Sequence, residues 1–368
     1  MNESVNPEML TLAREIRGWT QKYVSEASGI SQGKISKYEG GIAHVKDSDL
    51  SLFVNALRFP ADFFYQKGFR LGNEPSEIFH RRRRTVAIRD LRRIDGLVDL
   101  YRLGSRYLLN AFEITSSTSV PSLALDEYDS VAQMAEAVRA AWKIPAGPVR
   151  DLIGWLEHAS CLVFSYDFRT DKIDEAVQWI PPSPPVIVVN KSAPADRVRF
   201  SLAHALGHLV MHRDVVPYKE MEDEANEFAA AFLMPKEDIE HELEPATIQH
   251  MLELKEYWKV SMQSLIRRAN KLGVITPRRY MSLFQQLSRA GYRKREPFPI
   301  ERESPQLVQR LLDSHKEHLD YSDRELAKLL KVHIDDYYDW YYPKKIIEFP
   351  TNDFQFGLRG NSGVSLET

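Results

Sequence analysis

Apolar residues recur at near-helical spacing through the first 65 residues, and turn residues divide them into three short helices, at 7–18, 20–29 and 31–41. Thr20 and Ser31 are helix-capping residues at the starts of the second and third of these helices. Only Gly29 and Ile30 separate the two helices, which is the spacing of a helix-turn-helix. Other small helical bundles share this spacing, so the pattern alone leaves both interpretations open.

The rest of the chain shows a mainly helical pattern with a few short strands in the middle. Apolar runs predict strands near 161–166, 176–180 and 185–190. Helical spacing predicts helices at 89–112, 199–212 and 219–235 and pairs of helices at 254–280 and 322–342. We do not infer DNA contact from these last two pairs, because small helical units more often serve packing. The pattern therefore predicts an α+β fold that is predominantly helical, with an all-α N-terminal domain, a mixed central domain and a helical C-terminal region.

Composition narrows the class of protein. Hydrophobic residues make up 43% and charged residues 27% of the 368 residues, as in ordinary globular proteins. No apolar run reaches the length of a membrane span and the N-terminus has no signal-like segment, so we expect a cytoplasmic protein without membrane contact. The single cysteine, Cys161, excludes an internal disulfide and a cysteine-rich zinc site. Any metal must therefore be held by histidine and carboxylate.

Charge is unevenly distributed along the chain. The net charge is −3, yet residues 80–93 are strongly basic and include Arg81, Arg82, Arg83 and Arg84. One interpretation is a strap that contacts DNA phosphates beside the helix-turn-helix. The other is the solvated, arginine-rich start of a helix. The sequence favours neither.

The third short helix has a polar face. Gln32, Lys34, Ser36 and Lys37 point outward if the apolar residues pack inward, so they are the side chains left to meet bases and phosphates.

The stretch TQKYVSEASGISQGKISKYE, residues 20–39, is similar over its full length to the Xre/lambda-repressor-like family of DNA-binding domains. The resemblance implies that Gln21 holds a backbone phosphate and that Ser31, Gln32, Lys34 and Lys37 read bases. It also implies a homodimer on a double-stranded DNA operator.

The stretch RFSLAHALGHLVMH, residues 199–212, carries two histidines one helical turn apart. His204 and His208 leave the same helix face and can converge on one metal ion. Gly207 costs about 1 kcal/mol in a helix, which suggests that another backbone packs closely there. In the H-E-x-x-H pattern of zinc peptidases a glutamate follows the first histidine and takes a proton from the metal-bound water, but here that residue is Ala205.

The helix at 219–235 offers a third ligand. Glu222 lies on the side of its apolar stripe, where a carboxylate is costly unless it is paired or binds a metal. Asn226, one turn further, could hydrogen-bond a ligating histidine or carboxylate. Glu224 points more obliquely and is the reserve ligand. The competing interpretation is a surface helix whose acidic residues lie near its positive end.

Residues from about 132 to 235 resemble the ImmA/IrrE family of zinc metallopeptidases, in AAWKIPAGPVRDL, VIVVNKSAPADRVRFSLAHALGHLVMH and MEDEANEFAAAFLMP. The resemblance implies a zincin-like fold with zinc, or alternatively manganese, on His204, His208 and Glu222. It also implies that the partner is a protein, because such proteases cut repressor-like or antitoxin-type proteins in stress responses, mobile-element induction or toxin–antitoxin control. An Xre-type domain followed by an ImmA-like domain is a frequent order in that family.

Ala205 departs from the family pattern at the general base, so we expect very weak peptidase activity or none. Either the natural protein is a pseudoprotease, or the glutamate was replaced deliberately; the intact remainder of the site favours replacement. The leading function is a transcriptional regulator whose zinc-metallopeptidase domain is built to cleave a protein partner. The alternative is a non-catalytic regulator or antitoxin in which zinc is structural or sensory.

The expected domains are a helix-turn-helix domain, a basic linker with a long helix, a peptidase domain, a helical C-terminal region and a flexible tail. In this order, the five regions are expected at 1–70, 71–125, 126–245, 246–350 and 351–368.

Overall fold

The computed structural model of the chain describes residues 4–67, 78–82, 86–116, 118–213, 215–216, 218–342 and 355–358, with the backbone alone for Arg82 and 355–358. Helices dominate these residues and a small mixed sheet lies among them, so the α+β, predominantly helical class is confirmed. None of the described helices is both long and apolar enough to cross a membrane.

The N-terminal helices match the predicted pattern. They are α1 (Pro7–Arg17), α2 (Gln21–Ser28), α3 (Gln32–Glu39) and α4 (Asp47–Leu57). The side chain of Thr20 accepts a hydrogen bond from the backbone of Tyr23 and so caps α2. Gly29 ends α2 with a φ of 76°, a left-handed conformation that favours glycine and makes the tight turn into α3 possible.

A long helix, α5 (Ile88–Leu108), follows the short strand β1 (Phe79–Arg82) and packs along α1. A Cβ atom at Gly96 would lie 3.0 Å from Cγ1 of Ile16 and 3.3 Å from its backbone nitrogen. The glycine therefore lets the two helices approach closely.

The main sheet has four strands in the order β1-β4-β5-β3. Its other members are β3 (Leu162–Tyr166), β4 (Ile173–Gln178) and β5 (Val186–Asn190). β3 and β5 are parallel, whereas β4 is antiparallel to both β5 and β1. A second pair joins β2 (Phe112–Thr115) to β6 (Gln355–Leu358).

The remaining helices follow in two groups. The first comprises α6 (Val131–Ala141), α7 (Leu152–His158), α8 (Ala195–Met211), α9 (Met221–Leu233), α10 (Lys236–Ile239), α11 (Ile248–Trp258), α12 (Met262–Lys271) and α13 (Pro277–Arg289). The second comprises α14 (Leu307–Leu319), α15 (Asp323–Leu329) and α16 (Ile334–Trp340).

The sheet separates two hydrophobic cores, because alternate residues of its strands face opposite sides. Leu162, Phe164 and Val188 join a core that includes α1, α3, α4, α5 and α14 to α16. Val163 and Val189 join a second core built from α6 to α13. The N-terminal helices and the end of the chain thus share one core.

An ion pair reinforces this shared core. The guanidinium of Arg17 on α1 makes two hydrogen bonds to the carboxylate of Asp336 on α16, at 2.9 and 2.6 Å. Phe59 packs beside Trp340 with ring centroids 5.8 Å apart, and Arg17 lies over both rings.

Candidate metal centre and nucleic-acid interface

Close packing between α8 and α9 positions the candidate metal site. A Cβ atom at Gly207 would lie 3.2 Å from Cβ of Phe228 on α9, so this position has no room for a side chain without a shift. The close neighbour of Gly207 is thus a side chain, and not the backbone that the sequence led us to expect. The contact brings the histidine face of α8 against the start of α9.

Three side chains converge where α8 meets α9. One ligand atom each from His204, His208 and Glu222 lies within 4.8 Å of the others. The Nε2 atoms of His204 and His208 are 3.5 and 3.4 Å from the two carboxylate oxygens of Glu222. Both histidines are fully buried, whereas the Glu222 side chain is 53% exposed and closes the site from the solvent side.

The Nδ1 atoms of both histidines have partners. Nδ1 of His204 lies 3.2 Å from the buried carboxylate of Glu175 on β4. Nδ1 of His208 lies 3.0 Å from Nδ1 of His212, whose Nε2 lies 2.9 Å from the carboxylate of Glu224. This network assigns an Nδ1 proton to each of the first two histidines, which leaves the lone pair on Nε2.

Those two Nε2 atoms are buried and have no hydrogen-bond partner. A buried polar atom without a partner is costly, so a group that accepts both lone pairs would stabilise the site. Two imidazole nitrogens and one carboxylate form a donor set that suits zinc, and the residues present therefore fit the metal.

The local environment shifts the pKa values of the cluster. Burial lowers the pKa of His204, but Glu175 and Glu222 outweigh it and hold the pKa above its usual value. Burial lowers the pKa of His208, and burial together with His208 lowers the pKa of His212 to about 4. Burial raises the pKa of Glu222, but the two nearby histidines outweigh it and hold the pKa well below its usual range. The carboxylate is therefore ionised and His212 is neutral at pH 7.

The other acidic and amide candidates lie elsewhere. Glu224, the reserve ligand, bonds His212 and the hydroxyl of Tyr218. The amide of Asn226 donates to the backbone carbonyl of Glu222 at 2.7 Å instead of to a ligating side chain, because the two residues are one turn apart on the same helix. Ala205 is fully buried beside the histidines.

Sequence reasoning missed Glu175 and assigned no role to His212. His212 is fully buried one turn after His208, as the C-terminal capping residue of α8. A signal existed for Glu175, since Asp174 and Glu175 interrupt a strand that is buried along its whole length. A buried carboxylate needs a partner, but the sequence does not show which one.

Arg81, one of the residues proposed to contact DNA, makes contacts within the chain in the structure. β1 pairs with β4, and this pairing carries Arg81 to α8, where it donates to the hydroxyl of Ser201 at 2.9 Å. Its guanidinium lies 4.4 Å from the ring centroid of Phe200. The side chain of Arg81 is therefore engaged in contacts with α8. The side chain of Arg82 and all of Arg83 and Arg84 lie outside the described residues.

Most of the predicted DNA-reading residues lie on the free face of α3. Ser31, Gln32, Ser36 and Lys37 are exposed there. Gln21 lies at the start of α2, and its amide donates to the carboxylate of Glu39 at 2.9 Å.

Lys34 differs from its neighbours on α3. Its ammonium lies 2.6 Å from the carboxylate of Asp49 and 5.6 Å from the ring centroid of Tyr38. Tyr38 also donates to Asp49, at 2.5 Å. The hydrogen bond to Asp49 raises the pKa of Lys34. Lys34 thus helps to fasten α3 to α4 and is only partly available to a nucleic acid.

The start of α5 lies beside this surface. A cavity of about 380 Å³ opens there, and its lining includes Gln21, Lys22, Gln32, Arg89 and Arg92. The arginines that flank the helix-turn-helix are thus those of α5.

Comparisons with known protein families match two separate regions of the chain. A model of a helix-turn-helix domain matches residues 8–62, and a peptidase M78 model described as an IrrE N-terminal-like domain matches residues 156–270. The searches of curated proteins and of solved structures found no match to this chain. The second model covers the whole of α8 and α9, and the match continues past the expected domain end at 245. The chain therefore carries an N-terminal region that matches a helix-turn-helix domain and a later region that matches the IrrE N-terminal-like domain of the peptidase M78 family.

Proposed function

We propose that the chain is a DNA-binding regulator whose metallopeptidase-type domain holds zinc and acts on a protein partner. One observation carries this proposal: two buried imidazoles present unpaired Nε2 atoms to a single carboxylate. His204, His208 and Glu222 would hold the metal. When bound in such a site, zinc supplies Lewis acidity toward water and toward a peptide carbonyl.

The other residues of the site have positioning roles in this proposal. Glu175 and His212 would hold the rings of His204 and His208 in the orientation that aims Nε2 at the metal. Asn226 would stabilise the first turn of α9, and thereby the backbone of Glu222.

Ala205 limits the chemistry, because its methyl group cannot accept a proton. Glu175 does not replace the missing base, since it lies on the Nδ1 side of His204, away from Nε2. Losing a general base costs about 10²- to 10⁴-fold in rate. We therefore infer that this chain binds a peptide partner but cleaves it very slowly or not at all.

On the DNA side, we propose that Ser31, Gln32, Ser36 and Lys37 read bases while Gln21 and Lys34 contact the backbone. The chain would then act in the compartment that holds the DNA, as a dimer on two half-sites if it follows the helix-turn-helix pattern. The exposure of the α3 face supports this assignment.

Two measurements test the peptidase proposal. Zinc per chain, measured by elemental analysis after dialysis, should be about one, and it should fall to background in His204→Ala/His208→Ala. Ala205→Glu should cut a peptide library in a zinc-dependent, chelator-sensitive manner, whereas the unmodified chain should not. Zinc binding without any cleavage by Ala205→Glu would contradict the peptidase function.

A second candidate is a non-catalytic regulator or antitoxin in which zinc is structural or sensory, and Ala205 favours it. Its test is DNA binding by the unmodified chain with and without a chelator, on sequences selected from random double-stranded DNA. A large change in affinity on chelation would favour the sensory role, and an unchanged affinity would count against it.

A further inference from the structure

The edge strand β1 comes from outside the matched peptidase-type region, which begins at residue 156. It lies antiparallel to β4, with Phe79 opposite Val177 and His80 opposite Ala176. The pairing then becomes irregular between His80 and Arg82. A segment of the predicted linker, 71–125, thus forms the edge strand of the sheet in the peptidase-type domain, beside α8.

One face of β1 lies against α8. The ring of Phe79 stacks on that of His208, with centroids 4.3 Å apart and an interplanar angle of 14°. Two residues further on, Arg81 donates to Ser201 and lies over Phe200. Because alternate residues of a strand share a face, an aromatic and a cationic side chain occupy two consecutive sites along α8.

Burial lowers the pKa of Arg81 in the second site, but a neighbouring carboxylate and an aromatic ring both attract its guanidinium. Glu175 is fully buried on the neighbouring strand, and its charge acts on the guanidinium of Arg81. The ring face of Phe200 adds a cation–π contact. An arginine suits this site better than a lysine, because its planar group can stack on the ring and donate to Ser201 at once.

Among the side chains that the structure describes, the opposite face of β1 has one polar anchor. Nε2 of His80 lies 2.6 Å from the carboxylate of Asp95 on α5. A four-residue strand with irregular pairing and one such anchor is held weakly compared with a central strand. β1 can therefore exchange with another extended segment at modest cost.

We propose that the edge of β4 beside α8 is a binding site for an extended peptide that carries an aromatic residue followed two positions later by arginine, and that β1 fills this site in cis. Main-chain pairing with β4 supplies affinity and the two side-chain sites supply specificity, as in β-strand addition. This inference rests on the proposed function in that it names the peptides which the peptidase-type domain takes. A partner with this pattern binds by displacing β1.

The test uses the full-length chain and a fluorescein-labelled peptide of sequence SEIFHRRRR, which copies residues 76–84. Asp95→Ala removes the anchor of β1 without touching the α8 side of the site. Because a charge-assisted hydrogen bond is lost from the cis strand, this variant should bind the peptide about tenfold more tightly than the unmodified chain. Arg106→Ala, at an exposed position of the same helix, is the matched control and should bind like the unmodified chain.

Peptide controls separate recognition from simple charge attraction. Replacing the phenylalanine by alanine keeps all four arginines, and reversing the sequence keeps the composition. Both changes should weaken binding to Asp95→Ala severalfold or more. Equal binding of all three peptides, or equal affinity of Asp95→Ala and the unmodified chain, would overturn the proposal.

A second readout does not depend on the Asp95 variant. Saturating peptide should speed amide hydrogen exchange in residues 79–82 of the unmodified chain while β4 stays protected. Unchanged exchange in 79–82 at saturation would show that β1 is not displaced and would also overturn the proposal. Zinc should also be measured in the same samples. Strand pairing with β4 needs no metal, so this measurement tests the proposed zinc site separately from the proposed peptide site. Selective peptide binding without zinc would contradict the proposed metal function alone.

Discussion

His208 and His212 face each other through their Nδ1 atoms, 3.0 Å apart, on successive turns of α8. The neutral His212 can accept the Nδ1 proton of His208 because its own proton, on Nε2, is donated to Glu224. The hydrogen bonds that link His208, His212 and Glu224 thereby leave Nε2 as the nitrogen of His208 that can bind a metal.

We expect His212→Ala to weaken zinc binding about 10- to 100-fold, which is the usual effect of removing a hydrogen-bond partner of a metal ligand. The variant leaves the Nδ1 proton of His208 buried without an acceptor. Competition with a zinc-chelating dye measures the affinity. Glu224→Gln, which keeps an acceptor for His212, is the control and should change the affinity much less. An unchanged affinity in His212→Ala would show that His208 needs no such support.

Glu222→Gln should abolish stoichiometric zinc binding, because a neutral amide is a poor zinc ligand and the site loses its only ligating negative charge in the proposed donor set. Asn226→Ala should retain about one zinc per chain, since the amide of Asn226 donates to the backbone carbonyl of Glu222 and not to its carboxylate. Elemental analysis of both purified variants gives the comparison. Equal zinc content in the two would argue against Glu222 as a ligand.

Lys34 and Lys37 should differ in their effects. Lys37→Ala should weaken DNA binding, lower the salt dependence by about one counterion and leave the melting temperature unchanged. Lys34→Ala should lower the melting temperature as well, because Asp49 loses its cation. Fluorescence anisotropy at several salt concentrations and thermal unfolding measure the two properties. If Lys37→Ala binds DNA normally, the assignment of the α3 face is wrong.

Glu157 should make stability depend on pH. Burial raises its pKa from 4.5 to about 8, although the backbone amides of Gln306 and Leu307 donate to it. Because the pKa in the folded state is raised, its contribution is fully present below pH 4.5 and is lost as the pH rises toward 8, by about 1.4 kcal/mol per pH unit.

Glu157→Gln should therefore flatten the loss of stability between pH 5 and pH 8, which chemical denaturation at several pH values measures. The exposed Glu256→Gln is the control and should keep the slope of the unmodified chain. The same slope in both variants would show that Glu157 does not titrate in this range.

The local elements followed closely from the sequence because their signals are local. The three strands predicted near 161–166, 176–180 and 185–190 occur at Leu162–Tyr166, Ile173–Gln178 and Val186–Asn190. Pro277 lies near the end of the predicted pair of helices at 254–280. It begins α13, because the first position of a helix needs no backbone N–H donor.

The site was only partly accessible to such reasoning. Helical phase alone placed Glu222 on the side of its apolar stripe, and the structure brings it to His204 and His208. Glu175 could not be placed, because its contact with His204 depends on how β4 packs against α8. The charge of Arg81 is visible in the sequence and led to the proposed DNA contact. The pairing of its strand, β1, with β4 is not visible in the sequence.

The core that α1, α3 and α4 share with α5 and α14 to α16 bears on modularity. Excision of the first 65 residues would remove Ile16 from α5 at Gly96 and Phe59 from beside Trp340 on α16, which is buried here. The two halves of the intact chain should therefore unfold together in one thermal transition. A peptidase-type domain truncated at residue 65 should aggregate through the apolar surface that the truncation exposes. The helix-turn-helix domain is thus structurally continuous with the rest of the described chain, and a genetic separation of the two proposed activities requires point substitutions instead of domain deletion.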